Sequence, residues 1–527
     1  MFCHVEVTMA RISALFVLGF GLLVACSGDG TSSPDTLPAD TGDSSSFTPE
    51  VPPDNVAVDD SVPFEPTPFD PAATVVLDDL RFIEVDGERF FALGLHASPG
   101  LTYDGVTGPG ECDKDAGIGY LDINIDKTPA AAAAGANFVY LWGYKDETPE
   151  MIDVTPRFKG IFHGGYGQTL PAEDDVLPIL FNRFGEVDLD GYSDEKVAEM
   201  EEEFDQFIHR TGPYSIENMP TLPPVGQVGH MAWHPTWRMI GSESGAGEML
   251  SDAEADALAQ AVNMMIGDTY TYIENRFDLS DPLGAIMAAG VGQMGDIGEG
   301  YDEWLANDDP DHRGNFDSGF RLANSLRQRG MPEAVVWMWI QGYAFGSSIK
   351  HSECQGDADD SWATGGFPPL RYMVKEACGM IAAGATGFIF FGFPGIQLDE
   401  AGIINTFLRA FSSEEVYGPA LLGPRLDLGI DTLFMGEEGY DGRGRVHAIV
   451  KWDEASKTAF IIGANPGARE TLAEFPFPWT IAGAELLDWE TATFEASDAI
   501  TLDDRILRFT FPIDAGEIIR VHPYLGP

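Results

Sequence analysis

Residues 232–245, "AWHPTWRMIGSESG", place one carboxylate, Glu243, just after a short apolar run. A carboxyl group fixed at the end of a strand can act as a general acid, a general base or a nucleophile, depending on how its surroundings set its ionisation. Asp268, in "IGDTYTY", ends another apolar run beside Tyr270 and Tyr272 and is the candidate partner. Cleavage of a glycosidic bond uses such a pair, one member protonated and one ionised. Retention needs them about 5 Å apart and inversion roughly 6.5–9.5 Å. Asp296 and Glu299, in "QMGDIGEGYDEW", are further carboxylates in a glycine-rich loop.

Sugars present flat apolar faces ringed by hydroxyls, so their sites combine aromatic platforms with fixed hydrogen-bonding groups. Trp142, Tyr144 and Tyr270 are candidate platforms, and His96 and Gln341 stand at the ends of apolar runs as candidate hydrogen-bonding groups. Trp233 and Trp237 precede or enter the run before Glu243, whereas Trp339 alternates within a strand and reads as core. No Gly-x-Ser-x-Gly elbow supports a serine nucleophile.

Residues 186–197, "EVDLDGYSDEKV", resemble an EF-hand-type calcium loop. Glu186, Asp188 and Asp190 take positions one, three and five, Gly191 position six and Asp194 position nine. Val197 takes position twelve in place of the bidentate glutamate. A structural calcium ion is the cofactor expectation; catalysis as read here requires none. No CxxC pattern supports zinc.

The elements that must carry these residues alternate. "RFIEVDGERFFALGLHAS" reads as a hairpin turning at Asp86-Gly87, with a continuously apolar second strand over 90–95. Helix then strand recurs in "TPAAAAAGANFVYLWGY", where Gly135 stops the helix, and again after the capping box of Ser251 and Glu254. "RLANSLRQRGMPEAVVWMWIQGY" and "RYMVKEACGMIAAGATGFIFFGF" repeat the order, with Gly330 and Gly384 as stops. Such alternation over more than 300 residues implies a parallel α/β architecture. A closed barrel and an open doubly wound sheet both satisfy it. No GxGxxG follows one of these strands and no P-loop is present, and the polar and aromatic candidates fall just after strands, where barrels build their sites. The expected fold is therefore a (β/α)8 TIM barrel over 75–422, followed by an all-β sandwich over 423–527, where short strands and turns replace the helical period.

The leader "ISALFVLGFGLLVAC" has signal-peptide length and ends in Leu23-Val24-Ala25-Cys26, similar to a bacterial lipobox with Cys26 as the lipidated residue. At about 14 residues it is short of a membrane span. Met9 opens a short basic n-region, "MAR", and is the expected start. Ser27 after the cysteine favours outer-membrane sorting, so the expected location is lipid-anchored at the outer membrane or cell surface. Residues 27–74, rich in Ser, Thr, Pro, Asp and Gly, read as a disordered tether. Among the cysteines of the body, Cys112 and Cys354 lie in polar loops and form the expected disulfide, while Cys378 sits in an apolar helical pattern as a buried thiol. The 527 residues carry 85 Asp and Glu against 30 Lys and Arg, a formal charge of −55. That surface repels phosphate backbones and argues against a nucleic-acid partner.

Four stretches together resemble the (β/α)8-barrel glycoside hydrolases of the broad clan that holds cellulases and β-galactosidases. "IEVDGERFFALGLHAS" is similar to their entry strand and "AAAAGANFVYLW" to their second unit. "YMVKEACGMIAAGATGFIFFGF" is similar to their last helix and strand, and "DAGEIIRVHPY" to the β-domain that often follows. The resemblance spans most of residues 80–525. It implies a carbohydrate substrate, an acid/base after the fourth strand and a nucleophile ending the seventh. Glu243, after an expected fourth strand over 236–240, takes the first position. The strand in "AVVWMWIQGY" takes the seventh place and ends in Gln341, so the second position lacks its glutamate, and no Asn-Glu-Pro is present. The expected function is an exported glycoside hydrolase-like protein acting on poly- or oligosaccharide. The alternative is a non-catalytic glycan-binding or surface-structural protein on the same fold.

Overall fold

The computed structural model describes residues 66–85, 87–97, 132–142, 159–163, 180–184, 193–209, 211, 224–229, 252–261, 264–268, 318–330, 334–341, 369–391, 398–433, 435–436, 445–466 and 470–526. All belong to one folded unit, Pro66–Pro527.

Strand β1 (Val75–Leu77) precedes a hairpin of β2 (Ile83–Val85) and β3 (Glu88–Phe90). Gly87 turns this hairpin at φ +82°, a conformation glycine adopts without a side-chain clash. Eight strands follow: β4 (Ala92–Ala97), β5 (Phe138–Trp142), β6 (Lys159–His163), β7 (Leu180–Phe184), β8 (Pro224–Gly229), β9 (Met264–Asp268), β10 (Val335–Gln341) and β11 (Gly387–Phe391). Each pairs in parallel with the next, and β11 returns to β4, closing a barrel in chain order. Helices α1 (Asp194–His209), α2 (Asp252–Gln260), α3 (Ser318–Arg329) and α4 (Leu370–Ala383) connect β7 through β11, and α5 (Leu398–Ser412) follows β11.

Alternation along the strands divides the core. Ala92, Phe138, Met264, Ile266, Val335, Trp337, Trp339 and Ile389 fill the barrel interior with Phe90, and Ile83 and Val85 of the hairpin pack against them. Phe138 and Trp337 meet edge to face at 5.0 Å. They fit because small residues oppose them: a Cβ on Gly94 would lie 2.6 Å from the Phe138 ring, and one on Gly387 2.8 Å from Trp337. The intervening residues, Leu93, Leu95, Met265, Val336, Met338, Ile340, Phe388 and Phe390, join the outer core with the helices.

The "GAN" segment locks the first two barrel strands. Gly135, at φ +115°, ends a helical turn. Asn137 accepts from Leu93 N at 2.8 Å and donates to Phe91 O at 2.9 Å and to the Tyr417 hydroxyl at 3.1 Å. A buried amide with its donors and acceptor engaged fixes register as well as packing.

The strand numbering corrects one sequence expectation. The fourth barrel strand is Leu180–Phe184 and the fifth Pro224–Gly229, and β7–β8–β9 pair directly. The fourth place is thus taken by Leu180–Phe184, and residues 236–240 lie outside the described residues, between the fifth strand and α2 in chain order. The third, fourth and fifth strands, "KGIFH", "LFNRF" and "PVGQVG", carry charge, amide or glycine, so they lack a long continuous apolar run. The strand ending in Gln341 is the seventh, as its sequence implies.

Beyond the barrel come β12 (Arg425–Asp427), β13 (Met435–Gly436), β14 (Arg445–Asp453), β15 (Thr458–Asn465), β16 (Thr471–Pro476), β17 (Ile481–Asp488), β18 (Thr493–Glu495), β19 (Ile500–Asp503), β20 (Ile506–Phe511) and β21 (Ala515–Pro523). They form a sheet in the order β1-β12-β14-β15-β21-β17-β18, with β13 on β14, and a second sheet β16-β20-β19. One face of the large sheet, including Ala448, Val450, Trp452 and Ile461, packs on Ala473, Phe475, Leu507, Phe509 and Phe511. The other face, including Ile449, Phe460, Ile462 and Ile518, joins the outer core of the barrel. This explains why every residue of β15 is buried. It also explains α4, whose residues from Tyr372 to Ala383 are all buried: a helix covered on both sides has no solvent face.

The sandwich also takes in chain that precedes the barrel. β1 pairs with β12. Phe69 stacks on Trp452 at 5.2 Å, its backbone N–H donates to Tyr524 O at 2.7 Å, and Thr67 N donates to Thr480 Oγ1 at 2.8 Å. Residues 66–77, read from sequence as the tether's end and the barrel's start, are sandwich. Phe69, packed against the sandwich core, and the pairing of β1 anchor a segment whose composition reads as disordered.

Candidate functional site

In parallel barrels the carboxy-terminal strand ends form the face where sites are built. Six of those ends bring together residues of sugar-binding chemistry. Trp142 closes the second strand and is the register partner of His163, which closes the third; His163 is in turn the partner of Asn182 in the fourth. His96, next to last in the first strand, is partnered with Tyr140 of the second. Asp268 closes the sixth strand opposite Gly229, and Gln341 closes the seventh opposite Phe391.

His96 follows Ala92 by four positions and Trp142 follows Phe138 by four; Asp268 follows Ile266 by two and Gln341 follows Trp339 by two. Ala92, Phe138, Ile266 and Trp339 all lie in the barrel interior. The floor beneath the strand ends is thus apolar and aromatic, and Trp339 belongs to that floor as core.

His163 and Asn182 were not singled out from sequence. Their signal is faint: each stands at the polar end of a three- or four-residue apolar stretch, "GIFH" and "ILFN", too short to declare a strand.

Of the other candidates, Glu243, Tyr144, Tyr270, Glu186, Asp188, Asp190, Cys112, Cys354 and Cys26 lie outside the described residues. Chain order still locates several of them relative to the barrel. Tyr144 and Tyr270 each follow a barrel strand by two residues, Glu186 follows the fourth strand by two, and Glu243 lies between the fifth strand and α2. Asp194 is the first residue of α1, and Ser193 Oγ accepts from Lys196 N at 3.0 Å as the helix cap.

Chemically, the imidazoles of His96 and His163 and the amides of Asn182 and Gln341 are suited to sugar hydroxyls, and the Trp142 indole to a sugar face. Among the described strand ends, Asp268 supplies the carboxylate. The strongly shifted ionisable groups of the described residues lie elsewhere, where barrel meets sandwich. Burial pushes Glu517 up to about 7, and it also raises the thiol of Cys378, a buried free cysteine as its sequence context implies.

No known protein-family model matches the sequence, and no curated protein matches it. Solved structures similar to this chain include glycoside hydrolases. One is the GH51 arabinofuranosidase from Xanthomonas axonopodis pv. citri, at 9% identity over 76% of this chain and 90% of that one, with a TM-score of 0.38. A second is a GH30 endoxylanase from Clostridium papyrosolvens C71, at 10% identity over 85% and 99%, TM-score 0.33. A third is a family 51 α-L-arabinofuranosidase from Bifidobacterium longum, at 9% identity over 87% and 97%, TM-score 0.35. At these scores the likenesses carry no argument, and the barrel assignment rests on the strand pairing alone.

Proposed function

We propose that the protein is an extracytoplasmic, lipid-anchored glycoside hydrolase that acts on poly- or oligosaccharide at the carboxy-terminal face of its barrel. The observation that supports it is strand register: Trp142, His163 and Asn182 are successive register partners, and His96, Asp268 and Gln341 stand at the carboxy-terminal ends of the first, sixth and seventh strands of the same barrel. In this reading Trp142, Tyr144 and Tyr270 stack on sugar rings, while His96 and Gln341 hold hydroxyls. Asp268 and Glu243 supply the acid and base of the two-carboxylate route. Glu186, two residues past the fourth strand, is the carboxylate nearest in sequence to that strand's end. It is assigned to a structural calcium loop with Asp188, Asp190 and Asp194, and calcium titration of Glu186→Gln tests that assignment. Cys26 carries the lipid, and Cys112 and Cys354 are bridged.

One observation favours a second reading. The seventh strand ends in Gln341, an amide that can hold a sugar but cannot attack one. A glycan-binding protein without turnover would keep the same rim.

A panel of soluble polysaccharides, assayed for reducing-end release and for binding, separates the two. Turnover by wild type that falls by about 10²-fold or more in Glu243→Gln or Asp268→Asn, with binding retained, is expected. Binding without turnover in wild type establishes the second reading. No binding to any glycan overturns both.

A further inference from the structure

Lys451 lies on β14, on the face of the large sheet that meets the barrel, and is 1% exposed. Its Nζ donates to Gly423 O at 2.8 Å and approaches Leu421 O at 3.4 Å. These carbonyls end the π-helical turn Tyr417–Leu421 that leads from barrel to sandwich. Carbonyls at a helix end favour an ammonium. The rest of the surroundings oppose one.

Arg425 on β12 is the direct cross-strand partner of Lys451, and like charges in that position repel. Arg89 on the hairpin and Arg327 on α3 add two more cations. The two neighbouring carboxylates are already committed. Asp78 receives Arg89 at 2.5 Å, and Asp79 receives Arg425 at 2.6 Å and Arg327 at 3.1 Å. The ring of Phe82, 5.5 Å from Nζ, closes the remaining side. A fourth cation therefore sits, buried, among three guanidiniums and two carboxylates. Burial first, then Arg89 and Arg327, bring the Lys451 ammonium down to about 7 against the pull of Asp79 and Asp78.

We propose that Lys451 is a pH-sensitive latch between the two halves of the fold: loss of its proton tightens the docking of the sandwich on the barrel, and gain of the proton loosens it. Docked, the group gives up its proton near neutrality; hydrated, it does so near 10.4. Between those limits the undocked form binds more protons, so docking strengthens as pH rises, by up to about tenfold in its equilibrium constant per pH unit. Below the lower limit both forms are charged, and docking is at its weakest and flat. His447 and Glu517 also lie on this sheet, away from the Arg425–Asp79 ring. Both are unchanged in the proteins compared below, so whatever they contribute cancels in the difference.

The test uses the full chain as wild type, Lys451→Met and Lys451→Arg, from about pH 6 to about pH 10, by thermal unfolding and by hydrogen exchange of peptides covering β12, β14 and 421–423. Lys451→Met is expected to exceed wild type in stability most at the acidic end, with the gap closing as pH rises. Seam peptides of wild type are expected to gain protection relative to Lys451→Met, by up to about tenfold per unit above neutrality. Lys451→Arg keeps its charge, so its deficit against wild type grows with pH. This series decides the question should the methionine variant not fold. Gaps that stay constant with pH, or parallel exchange slopes, overturn the latch.

Discussion

Arg327 on a barrel helix and Arg425 on a sandwich strand share one carboxylate, that of Asp79, at 3.1 Å and 2.6 Å. Asp79 itself lies between β1, which belongs to the sandwich, and β2, which belongs to the barrel hairpin. A single side chain thus ties three parts of the chain, separated by about 250 and 350 residues in sequence, into one junction.

Asp79→Ala is expected to cost about 1–2 kcal/mol of stability. All three side chains are about a third exposed, so each pair is worth little alone, but removal leaves two guanidiniums facing each other and Lys451. Urea unfolding measures the loss. A double-mutant cycle with Arg327→Met should show strong coupling; additivity would mean that the junction does not act as a unit.

Gly135→Ala is expected to destabilise by about 2–4 kcal/mol, among the larger single-residue effects. The residue sits at φ +115°, and its Cβ would meet Ser412 Oγ at 1.8 Å and Leu408 O at 3.0 Å, so both strain and overlap on α5 oppose it. Gly135→Ala with Ser412→Gly relieves the side-chain overlap and should recover only part of the loss, as thermal unfolding can show.

Much of this frame can be read in the chain. Gly135 and Gly384 stop helices at positive φ because the next strand must start at once, and the apolar runs before Gln341 and at 387–391 can only be buried strands. The third to fifth strands escape detection because charge, amide or glycine interrupts their apolar runs, which also hides His163 and Asn182. The seam between barrel and sandwich is hidden for a different reason. In "RVHAIVKWD" the alternation puts His447 and Lys451 on the face that pattern assigns to solvent, yet that face is covered by the barrel. In α4, Lys375 and Glu376 read as an exposed pair. Instead they are buried 2.5 Å apart, with Asp514 at 3.3 Å from the lysine. A second layer that covers a polar face leaves no periodic signal in the face it covers.

Glu517, on β21 against the barrel, is raised to about 7, chiefly by burial. A carboxyl whose folded pKa exceeds its unfolded value stabilises fully below the unfolded value and loses that contribution as pH rises through the folded one. Stability should therefore fall between about pH 4.5 and pH 7 by up to about 3 kcal/mol from this group. Glu517→Gln should be neutral at the acid end and stabilising by a comparable amount at about pH 8. Unfolding midpoints across that range test this, and a gain independent of pH would assign the effect to packing instead.

Gln341 offers the sharpest test of what the barrel rim does. It closes the seventh strand, two residues beyond Trp339 of the aromatic floor, with Phe391 as its register partner. If the carboxylates that cleave substrate are Asp268 and Glu243, Gln341 serves as a hydrogen-bonding group whose amide N–H donates to a hydroxyl. Gln341→Glu removes that donor and adds charge without changing size. The proposed function therefore expects KM to rise by roughly tenfold, as loss of one hydrogen bond would give, with kcat nearly unchanged. Gln341→Ala should show the same direction. Steady-state kinetics on the best substrate of the panel read both. A rise in kcat for Gln341→Glu would instead mark the strand-seven position as a vacant nucleophile site and move the wild-type protein to the glycan-binding reading.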